Sequence, residues 1–206
     1  ARSTTLPIAA VIHHGIDVDT FPLGAGEGGY LAMLTRMTPD KGIERAMRLA
    51  HAAGVPLKIA AKIREQREHD YFESVIAPLL GSAVEFLGEV DAAGKRELLA
   101  GAAGLLNPIE WDEPFGMAMI ESLACGTPVV ATPRGAAPEI VGSGSTGFLA
   151  DDDAGLIDAI GHLAEIDRSV CREHIRRSFS IEGMCERYVV VFEREIASRE
   201  SAAAPV

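Results

Sequence analysis

The stretch Glu113-Pro-Phe-Gly-Met-Ala-Met-Ile-Glu121-Ser-Leu-Ala-Cys-Gly126-Thr-Pro-Val-Val-Ala131 constrains the fold more than any other part of the chain. Pro114 fixes its own φ and turns Glu113 away from helical geometry, so a helix can begin only after this pair. Gly116 stands at that start, where a residue without a Cβ lets a ligand approach the backbone. Met117, Ile120, Leu123 and Ala124 recur at helical spacing and give one apolar face. Gly126 closes the helix as a C′ glycine, and Thr-Pro-Val-Val-Ala reads as a short buried strand of parallel character. Loop, helix and strand in this order are the repeat unit of an α/β sheet.

The first backbone N–H groups of such a helix have no intrahelical acceptor and attract an anion, most naturally a phosphate. Glu113 and Glu121 flank the site eight positions apart. At helical rise this is about 12 Å. Two carboxylates sharing one glycosidic bond stand roughly 5–9.5 Å apart, so this pair suits acceptors for hydroxyls at the two ends of one long ligand, with phosphates between them.

E-x(7)-E followed by A-x-G-T-P-V-V-A, Gly135 and Pro138-Glu139-Ile140-Val141 resembles the donor-binding signature of retaining GT-B glycosyltransferases of family four, the glycosyl transferases group 1. Other segments carry the resemblance over residues 10–195. His14-Gly15-Ile16-Asp17 through Phe21 is similar to the family's N-G-V-D-x-x-x-F crossing between domains, with His14 in place of Asn. Arg36-x-x-x-x-Lys41-Gly42 is similar to its diphosphate-binding pair. Phe86-Leu-Gly88-Glu89-Val90 is similar to its F-x-G-x-v segment, whose backbone lies against the nucleotide base. Two departures stand out: Ala-Lys62-Ile-Arg64 replaces a glycine-rich loop, and Ala136 replaces a second glycine.

Bulk composition is compatible with this picture. The chain has 206 residues, 48% of them hydrophobic and 24% charged, enough for one domain with a substantial core. A net charge of −11 argues against nucleic acid and against an anionic membrane surface. Any phosphate ligand must be met by local cations and helix ends. Cys125, Cys171 and Cys185 form no C-x-x-C pair and suggest a reducing, cytoplasmic compartment. Six scattered histidines offer no metal spacing, and Asp151-Asp-Asp153 reads as a helix N-cap. No apolar run approaches the twenty residues of a membrane span.

Along the chain, strands are expected near Ala9, Tyr30, Leu57, Val84, Gly104 and Val129, alternating with helices. The implied fold is α/β, a doubly wound parallel sheet (Rossmann-like) with ligand at the carboxyl ends of its strands. Arg36, Lys41, Val90, Glu113 and Gly116 all fall just past strand ends. Gly24-Ala-Gly26-Glu-Gly28-Gly29 and Gly142-Ser-Gly144-Ser-Thr-Gly147 match G-x-G-x-x-G literally. Each precedes a strand instead of following one, so both read as turns and not as dinucleotide loops. The segment Arg67 to Leu80 reads as a helix with Tyr71, Val75 and Leu79 on one face and an irregular end at Pro78. Trp111 either walls the sugar pocket or packs at the domain edge. Helices over Ser169–Phe179 and Ile181–Ile196 should be charged outside and apolar inside. Residues 1–197 are expected to form the domain and 198–206 a disordered tail.

The resemblance implies the C-terminal half of a GT-B enzyme that transfers a sugar from a UDP- or GDP-sugar, with retention, to an acceptor held by an N-terminal domain absent from this sequence. It implies catalytic roles for Arg36, Lys41 and Glu113, and donor binding by Gly88, Val90, Phe115, Gly116, Met117 and Glu121. It implies no metal and no cofactor beyond the donor, and a lone half that turns over poorly. A nucleotide-sugar epimerase or phosphorylase on the same two-domain plan and a non-catalytic nucleotide-sugar binding module are the alternatives.

Overall fold

A computed structural model describes residues 8–203. Six parallel strands form one sheet in the order β3-β2-β1-β4-β5-β6: β1 (Leu31–Arg36), β2 (Leu57–Lys62), β3 (Val84–Gly88), β4 (Gly104–Asn107), β5 (Val129–Ala131) and β6 (Gly147–Leu149). Eight α-helices lie among and after them: α1 (Ile43–Ala53), α2 (Gln66–Tyr71), α3 (Ala92–Gly101), α4 (Met117–Ala124), α5 (Ala137–Ile140), α6 (Asp153–Gly161), α7 (Arg168–Ser178) and α8 (Ile181–Ala203).

The sheet is covered on both faces, which is why its central strands read as unbroken apolar runs. Leu31, Met33, Leu57, Ile59, Leu106 and Val130 pack with α1 and α6 on one side. Ala32, Ala60, Leu105, Val129 and Ala131 pack with α3, α4 and α7 on the other. The order reverses beside β1, between the β2 and β4 sides. That switch opens a crevice at the carboxyl ends of β1 and β4, where Arg36 and the loop after Asn107 emerge.

Five of the six expected strands are present. The run near Ala9 is not a strand. Ile8 and Val11 are exposed, and only Ile16 makes a ladder contact, a single bridge to Ser180. An apolar run becomes a strand only where a neighbour accepts its hydrogen bonds, and here the sheet edges are β3 and β6. The sixth strand is β6, which the second glycine motif feeds.

Both glycine motifs are structural turns whose N–H groups are spent inside the protein. Gly24, Gly26 and Gly28 donate to the carbonyls of Cys125, Ala100 and Gly101, and Gly144 donates to Gly147. Asp152 caps α6 by accepting from Gly155 N–H at 2.8 Å.

Three local readings are corrected. The helix expected from Arg67 begins as α2, widens into a π turn at Phe72–Ile76 and ends in a 3₁₀ turn around Pro78. The π turn shifts the buried face, so Ile76 is fully buried while Leu79 is 50% exposed. The last helix does not stop near residue 196: α8 runs on to Ala203, and residues 204–206 lie outside the described ones. Its apolar residues also face outward, with Tyr188, Val189, Val190, Phe192 and Ile196 all exposed. Among the described residues no helix is long and apolar enough to cross a membrane.

Candidate functional site

The crevice is built from the ends of four elements. β1 delivers Arg36, and the chain then turns through a 3₁₀ turn, Pro39–Lys41, that brings Lys41 beside it. Gly42 follows at φ 71°, with its Cα against the carbonyl of Pro108, an approach that leaves no room for a Cβ. The loop after β4 carries Glu113, which is held by its own backbone, since its carbonyl accepts from Ala136 N–H at 2.9 Å.

Gly116, at φ 87°, then starts α4, and no side chain caps that helix. The first N–H groups of α4 therefore remain available to an anion. Met117 is 41% exposed at this end, whereas Glu121 lies one turn inside and is 9% exposed.

Two cavities meet here. One, of about 340 Å³, is lined by His14, Arg36, Lys41, Glu113, Phe115 and Gly116 among others. The second, of about 570 Å³, is lined by Arg36, Lys62, Val90, Lys95, Met117 and Glu121 among others. Both share Leu34, Thr35, Arg36, Met117 and Ala118, so they are two ends of one cleft with Arg36 and the start of α4 at the waist.

A long ligand with charge in the middle and hydroxyls at each end fits this shape. Gly88 lines neither cavity; its φ of 70° makes the turn that brings Glu89 and Val90 to the wall.

Three of the four carboxylates that line the cleft, Glu89, Glu113 and Glu121, have a cation on them, and the fourth, Asp91, caps α3. Lys41 Nζ donates to Glu113 Oε2 at 2.5 Å and also sits 4.4 Å above the centre of the Trp111 ring. Trp111 is therefore the platform under Lys41, and it does not line the cavities. Lys95 Nζ donates to Glu121 Oε1 at 2.5 Å. Lys62 pairs with Glu89 at 3.1 Å, and its hydrogen bond holds that carboxyl below the ordinary range.

Arg36 donates to Glu68 at 2.5 Å and to Glu65 at 3.2 Å. The Glu68 hydrogen bond is the first cause of a guanidinium pKa raised above its usual value. In a chain of net charge −11, these local pairs keep the cations in place.

Lys95, His14 and Asn107 line the cleft and were missed as site residues. Lys95 had one usable signal: it stands on the first turn of the helix that follows the Gly88–Val90 segment, capped by Asp91, which accepts from Gly94 N–H. His14 enters from the extended segment before Ile16, with its ring 5.0 Å from that of Phe115 and nearly perpendicular to it. Among the described residues, no group of three or more His, Cys, Asp or Glu side chains is arranged to hold a metal ion.

A family model described as glycosyl transferases group 1 matches residues 30–165, a span that contains all six strands and the whole cleft except His14. The chain belongs to the glycosyl transferases group 1 family. It is 32% identical over 180 residues to the alpha-maltose-1-phosphate synthase of Mycobacterium tuberculosis, an alignment covering 78% of this chain and 46% of that protein.

Among solved structures it resembles AviGT4, a glycosyltransferase involved in avilamycin A biosynthesis, with a TM-score of 0.76 and 28% identity. That match covers 91% of this chain and 58% of the other. The fold also matches Anabaena HepE in complex with UDP and glucose, with a TM-score of 0.75 and 22% identity, over 89% of this chain and 56% of that one. This group 1 domain has the architecture of one half of a GT-B glycosyltransferase, and it spans about half the length of the relatives it matches.

Proposed function

We propose that this domain binds a nucleotide-diphosphate sugar across the cleft and serves a retaining hexosyl transfer to an acceptor held elsewhere in the enzyme. The observation that carries the reading is the cleft itself: two carboxylates at opposite ends, with Arg36 and the uncapped start of α4 between them.

In this reading the diphosphate lies against Arg36, Lys41 and the N–H groups of Gly116 and Met117. As the bond between the sugar and the diphosphate breaks, negative charge grows on the leaving phosphate. These fixed donors stabilise it without having to reorient. Glu113 turns from Lys41 to the sugar hydroxyls, which frees the Lys41 ammonium for the phosphate beside it. Glu121 accepts from the ribose hydroxyls, and the base lies along Val90, delivered by Gly88. Phe115 closes the sugar end. No covalent nucleophile is assigned, and the cations and the helix end supply the neutralising charge.

The UDP complex of HepE supports uridine as the first nucleotide to try, and GDP-sugars are the second choice. Calorimetric titration of UDP, GDP and ADP and their glucose and mannose derivatives into wild type and Glu121→Ala tests the reading. One nucleotide series should bind, and the variant should lose about ten- to a hundred-fold in affinity, the worth of a charged acceptor. Equal binding by wild type and variant would remove the ribose assignment, and no binding of any nucleotide at millimolar concentration would count against the donor reading.

A further inference from the structure

Glu68 is the most deeply buried carboxylate among the described residues, at 1% exposure, and it lines neither cavity of the cleft. It sits on α2, in the loop and helix that follow β2. Arg36 and Lys62 are register partners at the ends of β1 and β2, so the chain leaving Lys62 passes directly beneath Arg36. Both carboxylate oxygens of Glu68 are engaged. Oε2 accepts from the backbone N–H groups of Arg64 at 2.7 Å and Glu65 at 3.3 Å, which closes the first turn of α2. Oε1 accepts from Arg36 Nη2 at 2.5 Å.

A helix cap needs only one of these oxygens. The second is turned to the arginine that stands at the waist of the cleft. Glu65 also touches Arg36 Nη2, at 3.2 Å, but its side chain is 49% exposed and solvated. Both contacts use the same nitrogen. Among the described residues, Nη1 and Nε of Arg36 make no hydrogen bond, which leaves them for a ligand.

We infer that Glu68 is a positioning residue for donor binding: anchored by two backbone N–H groups, it fixes the plane of the Arg36 guanidinium so that its remaining edge faces the diphosphate. This rests on the donor reading above and adds to it a residue that touches no ligand. A half-exposed arginine would otherwise sample many rotamers, and ordering it on binding would cost affinity. An anchor held by backbone atoms has already ordered it.

Two simpler roles make different predictions. If Glu68 only caps α2, its loss lowers stability and leaves ligand affinity unchanged. If it only competes with phosphate for Arg36, its neutralisation tightens binding.

Glu68→Gln separates these roles. A Gln has one acceptor oxygen and one donor amide. With the oxygen on the Arg64 and Glu65 N–H groups the cap survives, and the amide then faces Arg36 donor to donor. The first measurement needs no ligand: the rotation of the Arg36 guanidinium by nitrogen-detected NMR in the wild-type chain and in Glu68→Gln. Slow rotation in wild type and fast rotation in the variant is the expected result. An Arg36 that rotates in wild type as freely as the exposed Arg134 overturns the inference, even if the variant does not fold.

The second measurement titrates UDP-glucose, with the GDP- and ADP-glucose series as alternates, into wild type, Glu68→Gln, Glu65→Gln, Arg36→Ala and Arg36→Ala/Glu68→Gln. Glu68→Gln should weaken binding roughly ten-fold. Glu65→Gln should change it little, and Glu68→Gln should add nothing in the Arg36→Ala background. Binding that Arg36→Ala abolishes but Glu68→Gln leaves equal or tighter overturns the inference alone. Wild-type protein that binds no nucleotide sugar overturns the donor reading, and this inference with it.

Discussion

Lys95 on α3 and Glu121 on α4 meet at 2.5 Å, and the two residues lie 26 positions apart on helices that share one face of the sheet. The Glu121 side chain keeps 12% of its surface exposed and that of Lys95 26%, so the pair is largely withdrawn from water. Breaking it from the lysine side leaves a carboxylate facing apolar neighbours. Lys95→Met should lower stability by about 1–3 kcal/mol, below the full range for a buried pair because both groups retain some solvent. Thermal denaturation of the two proteins measures this. Glu121→Gln, which keeps an acceptor beside Lys95, should cost less.

Trp111 bears on Lys41 through its ring face. Replacing it with Leu removes the cation–π contact, worth about 0.5–1 kcal/mol at a partly exposed site, while Phe should retain part of it. The prediction is a graded weakening of UDP-glucose binding in the order wild type, Trp111→Phe, Trp111→Leu, read by titration. Equal affinity in all three would show that Glu113 alone holds Lys41.

Gly135, at φ 54°, packs directly on the backbone of Glu113, and a Cβ there would fall on the Glu113 carbonyl and amide. No rotamer can relieve a clash between backbone atoms. Gly135→Ala should destabilise by more than about 1 kcal/mol from the left-handed backbone alone. It should also abolish donor binding, because Glu113 is positioned by this contact. Gly29→Ala is the control. It has a similar φ of 67° with nothing near its Cβ, and should cost stability without affecting the site.

Burial pushes the Cys125 thiol up to about 11 and that of Cys171 up to about 12. Both are protonated at neutral pH and shielded, so neither should react with a thiol reagent in the native protein. Cys185 is exposed on α8. A disulfide-exchange titration should count one fast thiol when folded and three after denaturation. Fast modification of two or more would show that the core around α4 and α7 opens readily.

Glu68 and Asp19 are held below the ordinary carboxyl range for different reasons. Backbone N–H donation from Arg64 is the largest cause at Glu68, and a hydrogen bond from Arg176 the largest at Asp19. A folded pKa below the unfolded one gives stability that is complete above the unfolded values of 4.5 and 3.8 and is lost as pH falls through the depressed folded values. His162 has the opposite sign. Its hydrogen bond with Glu165 raises its pKa, so its contribution is complete below 6.5 and fades as pH rises through the folded value. The melting temperature of wild type should therefore drop more steeply than that of Asp19→Asn below pH 3.8, the unfolded value of Asp19. The two should run parallel between pH 5 and 6.

The apolar periods and glycine punctuation determined five of the sheet's six strands, their parallel sense and their order along the chain. Those signals are local: a C′ glycine, a proline turn or an unbroken buried run acts within one element, and the family's long central motif lies in a single loop-helix-strand unit. The positions of Arg36, Lys41, Glu113 and Glu121 at strand and helix ends follow from that order.

Tertiary structure alone decided which partner each of these charges meets. Glu68 under Arg36, Trp111 under Lys41 and Lys95 against Glu121 are pairings across 26 to 70 residues, and no spacing rule reaches so far. It also decided against a strand near Ala9 and for an exposed apolar face on α8. In both cases hydrophobicity states only that a surface avoids water. Which surface covers it depends on neighbours that the residues themselves do not name.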